Sequence, residues 1–527
     1  MLYMLEAKNY QKSRKSKYAF LLAFLLSLIF IPNLDAQSRY GVQLHTNDAS
    51  DGYTLFYSQP VDASILIDTC GRIVNKWQHD TPVFHPKLTK NGSLLFLKSS
   101  GTIDSESIIE INWDNSSILE THLADSSIYL TYEVIALENS YLAIGRKRIS
   151  GIELINKGFV TLRDDVDYGI DVIVEIEKES GKVLWLWDIS DHLIQDEDPN
   201  LPRYGEVSNH PELIDPQAIS RNDWPQEFFM INGMDYNEKL DQIALSIRKL
   251  SEILIIDHST TLEEASGSTG GTYGKGGDLL YRWGNPANYG RGNETDQQLF
   301  YQHNPNWIEY GEHQGKMIIF NNGIFRDSTD FSSIDIIQLP IDSQGNYNIH
   351  TENAFEPSEP DFRYTSNEFY SGYQSGAKVL PNGNIYITEG DDTRYFEITP
   401  GKEIVWEYFG FRTSSYRSEK YSASYEGLAN RELIGTGTVE SPSSDYDCLQ
   451  VDIQEPFVEN HVKVTNDLLT INNSAQIEVR IYDRIGRLLF QDQTATSLDI
   501  SFLRQGLYFF QIRQKAQFIT IKKYIYE

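Results

Sequence analysis

VIVEIEKESGKVLWLW, residues 172–187, reads as two short strands around a polar turn. Apolar and polar side chains alternate from Val174 to Glu177, Ser180 and Gly181 supply the turn, and the second strand ends in Trp185 and Trp187. Alternation with period two, broken by a glycine turn, marks an antiparallel hairpin with one buried face. The pattern recurs in ILIDTCGRIVNKW from Ile65, IIEINWDNSSILETHL from Ile108, IIQLPIDSQGNYNIH from Ile336 and RYFEITPGKEIVWEY from Arg394. A sixth instance runs from ILIIDHST at Ile253 to LLYRW at Trp283 through a long insert. Repeats spaced by roughly 40 to 80 residues suit four-stranded blades with variable loops. The expectation is an all-β chain with a six-bladed β-propeller over residues 37–450; an irregular β-sandwich with similar hairpins is the alternative.

Two further segments, LTKNGSLLFLKS from Leu88 and VLPNGNIYITEG from Val379, each place an Asn-Gly turn before a strand. Such turns join tightly paired strands. With 32 Tyr and 25 Phe, the composition also favours strands. The glycine-rich insert Ala265–Asp278 lacks the order of a phosphate loop and opens no helix, so it reads as a flexible loop near the mouth of the site.

The ends read differently. Lys8, Lys12, Arg14, Lys15 and Lys17 precede the apolar run Tyr18–Ile31, and Ala36 is a plausible cleavage point. This is the arrangement of a cleaved signal peptide over residues 1–36. The formal charge of −30 repels nucleic acid, so no nucleic-acid partner is expected. Cys70 and Cys448, the only cysteines, exclude a disulfide-dense scaffold; one bridge or two thiols are both open. No HxH, HExxH or carboxylate cluster stands at ligand spacing, so neither a metal nor a cofactor is expected.

From about Val451 the segments IEVRIYDRIGRLLF and SLDISFLRQGLYFFQIRQKAQFITIKKYIYE give strands and turns for a small C-terminal β-sandwich over residues 451–527. These residues resemble the C-terminal sorting domain of the type IX secretion system of Bacteroidetes. The resemblance implies a secreted or cell-surface protein, with the secretion machinery as a partner.

Rare side chains cluster in FFMINGMDYNEKLDQIALSIRKLSEILIIDHSTT, from Phe228, and DQQLFYQHNPNWIEYGEHQGKMIIFNNGIFRD, from Asp296. With LIDTCGRIVNKW and SGAKVLPNGNIYITEG, they resemble the bacterial arylsulfate sulfotransferase family over roughly Gly41–Gly410. The resemblance implies transfer of a sulfuryl group from an aryl sulfate to a phenol through a histidine, without a nucleotide donor. It puts His303 and Arg326 in catalytic positions and Arg248, Asn232 and Asn322 in substrate-binding ones. A neutral imidazole suits this chemistry as a nucleophile, and cations suit the sulfuryl oxygens. The family pattern is broken at Met230, where a histidine is usual, and no later histidine appears between Tyr395 and Phe409. A propeller that only binds sulfated phenolics or glycans, and a sulfate-ester hydrolase, are the rival readings. His258 reads as the brace of a turn; His85, His313 and His350 read as structural or solvated, and Asp391–Asp392 as an exposed turn.

Overall fold

The computed structural model describes residues 40–99, 104–160, 162–219, 228–326, 330–347, 353–366, 369–410, 417–439, 462–464, 468–471, 478–483, 487–492, 497–504, 506–514 and 517–525. The signal segment, Cys448 and His350 lie outside them. Cys70 is disulfide-bonded. The chain divides into two compact units, Met1–Tyr446 and Asp447–Glu527.

Antiparallel meanders build the first unit, and among its described residues the one α-helix is the short Gly151–Asn156. In four repeats the hairpin read from sequence supplies the outer strand pair: Ala63–Asp68 with Arg72–Gln78, Asp104–Ile111 with Ile118–His122, Asp167–Glu177 with Val183–Asp188, and Arg394–Ile398 with Ile404–Phe409. The hairpin with the long insert pairs as expected too, Glu252–Asp257 with Tyr281–Trp283. Both Asn-Gly turns join inner strands, with Gly92 at φ +79° and Gly383 at φ +88°. That left-handed region is open to glycine at no steric cost.

The fifth hairpin pairs differently from its sequence reading. Ser333–Ile337 takes Phe362–Tyr364 as its partner, while among the described residues the expected return strand makes a single bridge, Ile341 to Tyr347. Tyr347 is drawn inward instead. Its ring stacks on Tyr281 at 5.0 Å and its hydroxyl donates to Gln242 Oε1 at 2.9 Å.

The meanders form five sheets, because the second and third repeats share one eight-stranded sheet, joined where Asp104–Ser105 pairs with Leu130–Thr131. Among the described residues five indole N–H groups cross between repeats, Trp185 to Thr260 Oγ1 and four others to main-chain carbonyls. Trp77 donates to the Asn112 carbonyl, Trp187 to Gly277, Trp283 to Pro357 and Trp406 to Thr69. The last of these bonds joins the final repeat to the first. Backbone pairing closes the same seam: Gly41–His45 pairs with Ile404–Phe409, and Gly52–Ser58 with Glu419–Ser422. Central strands such as Gln242–Ile247 and Glu252–Asp257 are buried along their whole length, as expected when both faces are packed.

The glycine-rich insert is ordered and lies away from the site, against the sequence expectation. Strand Glu252–Asp257 begins beside Arg248 and runs away from it, so the insert emerges at the opposite end of that sheet. His192 fixes it there: Nδ1 contacts Asp278 Oδ1 at 2.8 Å, Nε2 donates to the Ala265 carbonyl at 2.9 Å, and the ring stacks on Trp187.

The second unit contains a three-stranded sheet (Val462–Val464, Leu468–Ile471, Ser497–Asp499) and a four-stranded one (Leu488–Asp492, Glu478–Asp483, Gly506–Gln514, Gln517–Ile525). Leu469 from the first sheet and Val479, Ile481 and Phe510 from the second share one apolar core. Among the described residues no helix is long and apolar enough to cross a membrane.

Candidate active site

The site lies where the inner strands of several repeats begin. Five of the inner strands carry, within them or just before them, a non-glycine residue with positive φ: His85 at 40°, Tyr132 at 55°, Met230 at 55°, Asn304 at 53° and Gln374 at 53°. Register shifts accompany four of these positions, between Phe84 and Lys87, Leu130 and Val134, Ile231 and Gly233, and His303 and Asn306. Bulges of this kind re-aim side chains.

His303 opens the strand His303–Trp307 and keeps 5% of its surface exposed. Asn322, just beyond the strand Met317–Asn321, is fully buried. Its Nδ2 donates to the carbonyls of Ser371 and Gln374 at 2.8 and 3.1 Å, which leaves Oδ1 to accept from His303 Nδ1 at 2.7 Å. His303 therefore carries its proton on Nδ1 and a lone pair on Nε2. Burial drives its pKa down to about 3, helped by the cations Arg248 and Arg417, while hydrogen bonds to Asn322 and the Tyr301 backbone oppose the fall. The imidazole is neutral across the physiological range.

Arg248 follows the strand Gln242–Ile247. Its backbone N–H donates to the Met230 carbonyl at 3.1 Å, one guanidinium nitrogen lies 3.9 Å from the Met230 sulfur, and the guanidinium sits over the Tyr301 ring at 4.4 Å. Met230 itself is held by Asp171, whose Oδ2 accepts the Met230 N–H at 2.9 Å and whose Oδ1 lies 3.4 Å from Arg146 Nε. Arg326 lies over the rings of Phe331 at 4.4 Å and Phe300 at 5.1 Å, and donates twice to Ser333 Oγ at 3.2 Å. Asn232 donates from Nδ2 to the Gln302 carbonyl at 2.9 Å. The structure thus ties Asn322 and Arg248 directly to the His303 surroundings. Asn232 acts on the residue preceding His303, and Arg326 is fixed in the turn after Asn322.

Arg417 was not among the residues singled out from sequence. It lies 2% exposed with Nη2 3.1 Å from Glu133 Oε2. Gly376 makes room for it, since a Cβ there would sit 2.6 Å from Arg417 Cδ and 2.5 Å from Asn304 Oδ1. Beyond Arg417 lies a buried network of alternating charge. Glu133 also pairs with Lys87; His85 Nε2 contacts Glu419 Oε1 at 2.7 Å; and Lys378 lies 3.8 Å from Glu419. Burial pushes Glu133 upward, but Arg417, Lys87 and His85 overcome this and hold it at about 2. His85 is a structural member of this network, not a solvated group. No local motif marks Arg417. It comes beside His303 only because the final strand returns to the first repeat.

His258 is a brace rather than a site residue. Its Nδ1 lies 2.7 Å from Asp241 and its Nε2 3.4 Å from Glu175, between the rings of Trp185 and Tyr236. His313 lies 3.4 Å from Glu312 on a short turn. Among the described residues no group of three or more His, Cys, Asp or Glu could hold a metal.

Residues 41–423 match the arylsulfotransferase (ASST) family. The chain belongs to that family. Residues 465–527 match the secretion system C-terminal sorting domain, so this arylsulfotransferase family member is exported to a secreted or cell-surface location. No curated protein matches the chain. Solved structures similar to it include a Bacteroides caccae protein of unknown function, at 12% identity and TM-score 0.38, covering 71% of this chain and 99% of its own. Another is a streptogramin B lyase, at 12% identity and TM-score 0.34, covering 73% and 86%. The Cps50 (Swd1) beta-propeller domain of Myceliophteria thermophila matches at 10% identity and TM-score 0.35, covering 73% and 97%.

Proposed function

We propose that this exported arylsulfotransferase family member moves a sulfuryl group from an aryl sulfate to a phenol through His303, at the axis of a six-bladed propeller. The observation that carries the reading is the neutral His303, its proton fixed on Nδ1 by Asn322 and its surroundings made cationic by Arg248 and Arg417. In the first step the Nε2 lone pair attacks sulfur. An N–S bond forms as the S–O bond to the aryl group breaks, and the electron pair leaves with the phenolate. In the second step the acceptor oxygen attacks sulfur, the N–S electron pair returns to Nε2, and the acceptor proton passes to the departed phenolate or to water. Nδ1–H stays with Asn322 throughout and supports the positive charge on the ring.

Arg248 and Arg417, with Arg326, are the cations for the sulfuryl oxygens, whose charge grows in the transition state. Asn322 and Asn232 position His303 rather than touching substrate. The test is release of 4-nitrophenol from 4-nitrophenyl sulfate, with and without added phenol, by the wild-type chain and by His303→Ala. Acceptor-dependent release that the substitution abolishes supports the transferase. Release without acceptor dependence means hydrolysis.

Met230 favours a second reading, a propeller that binds sulfated phenolics without transferring the group. A thioether neither donates a proton nor carries charge, and here it faces Arg248 where the family pattern has a histidine. Absence of release from a folded chain that still binds aryl sulfates would establish it.

A further inference from the structure

Two loops meet at Asn322, and both end in exposed aromatic rings. Through its bonds to the Ser371 and Gln374 carbonyls, Asn322 anchors the loop bearing Tyr370 and Tyr373, which are 41% and 53% exposed. The turn immediately after Asn322 bears Phe325, 69% exposed and at φ +62°. A left-handed backbone is strained for a bulky residue, and a mostly exposed phenyl ring returns little of that strain by burial.

The surroundings hold these loops firmly. Phe325 N–H donates to Asp330 Oδ1 at 2.9 Å, and the other Asp330 oxygen accepts the Tyr370 hydroxyl at 3.3 Å. Gly372 N–H donates to Asp391 Oδ2 at 2.8 Å, and a Cβ on Gly372 would sit 2.8 Å from the Tyr370 hydroxyl. Beneath them the Phe325 ring meets Tyr301 edge-to-face at 5.6 Å, and Tyr301 carries Arg248 on its own face. A path of ring, ring and guanidinium therefore leads from solvent to the surroundings of His303.

Single exposed apolar residues are ordinary; three aromatic rings on the two loops that flank one site are not. We propose that Phe325, Tyr370 and Tyr373 form an aryl-binding platform at the outer edge of the His303 site, selecting planar phenolic rings over aliphatic esters. The proposal rests on the sulfuryl-transfer reading for its substrate class. An aryl sulfate is a flat apolar ring joined to an anionic head, and the site presents exposed rings leading to the half-buried guanidinium of Arg248 in the same order. Edge-to-face and offset contacts fit such a ring.

Sulfonates test the platform without turnover, because their C–S bond replaces the transferable ester. Calorimetric titration of the wild-type chain with benzenesulfonate and methanesulfonate is expected to show roughly tenfold tighter binding of the aryl compound. Phe325→Ala and Tyr370→Ala should erase that preference while methanesulfonate affinity stays the same, and Tyr370→Phe should keep it. Equal affinity for the two sulfonates in the wild-type chain, or a preference that survives both alanine substitutions, overturns the proposal. A chain that shows the preference but releases no phenol from 4-nitrophenyl sulfate overturns the transfer reading and leaves the platform standing.

Discussion

His303 is buried and His258, one repeat earlier, is largely covered, and their surroundings push them in opposite directions. His303 is held at about 3 by burial and two arginines, with a neutral amide as its hydrogen-bond partner. At His258 burial also pulls the pKa down, but hydrogen bonds and charge from Asp241 and Glu175 more than offset it and raise it to about 9. Burial alone does not set the charge of a histidine; the charge on its partners does. One imidazole is thereby neutral, as the proposed nucleophile has to be, and the other a cation below about pH 9 that joins two repeats.

The largest effect expected from disturbing this contrast is chemical. His303→Ala should lower acceptor-dependent sulfuryl transfer by at least about a thousandfold, measured as 4-nitrophenol release, with the unfolding midpoint near that of the wild type. Retained activity would transfer the nucleophile role elsewhere. Next in size, Arg417→Gln leaves Glu133 with one fewer cation in a buried network, and should destabilise the chain by about 3–5 kcal/mol in denaturant unfolding. It also removes a charge that depresses His303, so the acid limb of the rate profile should move to higher pH. A limb that stays in place would show that Arg417 acts on stability alone.

For His258 the sign follows from a folded pKa above the unfolded value of about 6.5. Its contribution is full below pH 6.5 and is lost as pH rises through about 9, amounting to no more than about 3 kcal/mol. His258→Gln should flatten that alkaline fall in stability; an unchanged slope would mean the brace is neutral. The smallest effect is expected from Met230→Leu, which keeps volume and neutrality beside Arg248 and should change transfer by less than about tenfold. A larger loss would show that the sulfur itself takes part.

What sequence could reveal here follows the range of the interactions. The outer hairpins at residues 65–77, 172–187 and 394–408 were legible because alternation and a tight turn are local. The fifth hairpin was misread because the polar stretch after Ile341 resembles a turn and return strand, while Tyr347 is claimed by a distant stack with Tyr281. The insert Ala265–Asp278 looked flexible from its glycines, yet His192 and Trp187, far back in the chain, hold it. His303 could be named from its local motif, as could Asn322. Arg417 could not, since the contact that makes it relevant crosses from Glu133 to a strand 284 residues later.

That crossing also bears on when the protein becomes active. The strands that close the first unit join residues near 41–58 to residues near 404–422, and the same returning segment delivers Arg417. Long-range pairing of this kind forms late, after the entropy of a very long loop has been overcome. A partly synthesised or partly translocated chain lacks both the seam and one of the cations beside His303. Completion of the fold and completion of the His303 surroundings are thus a single event.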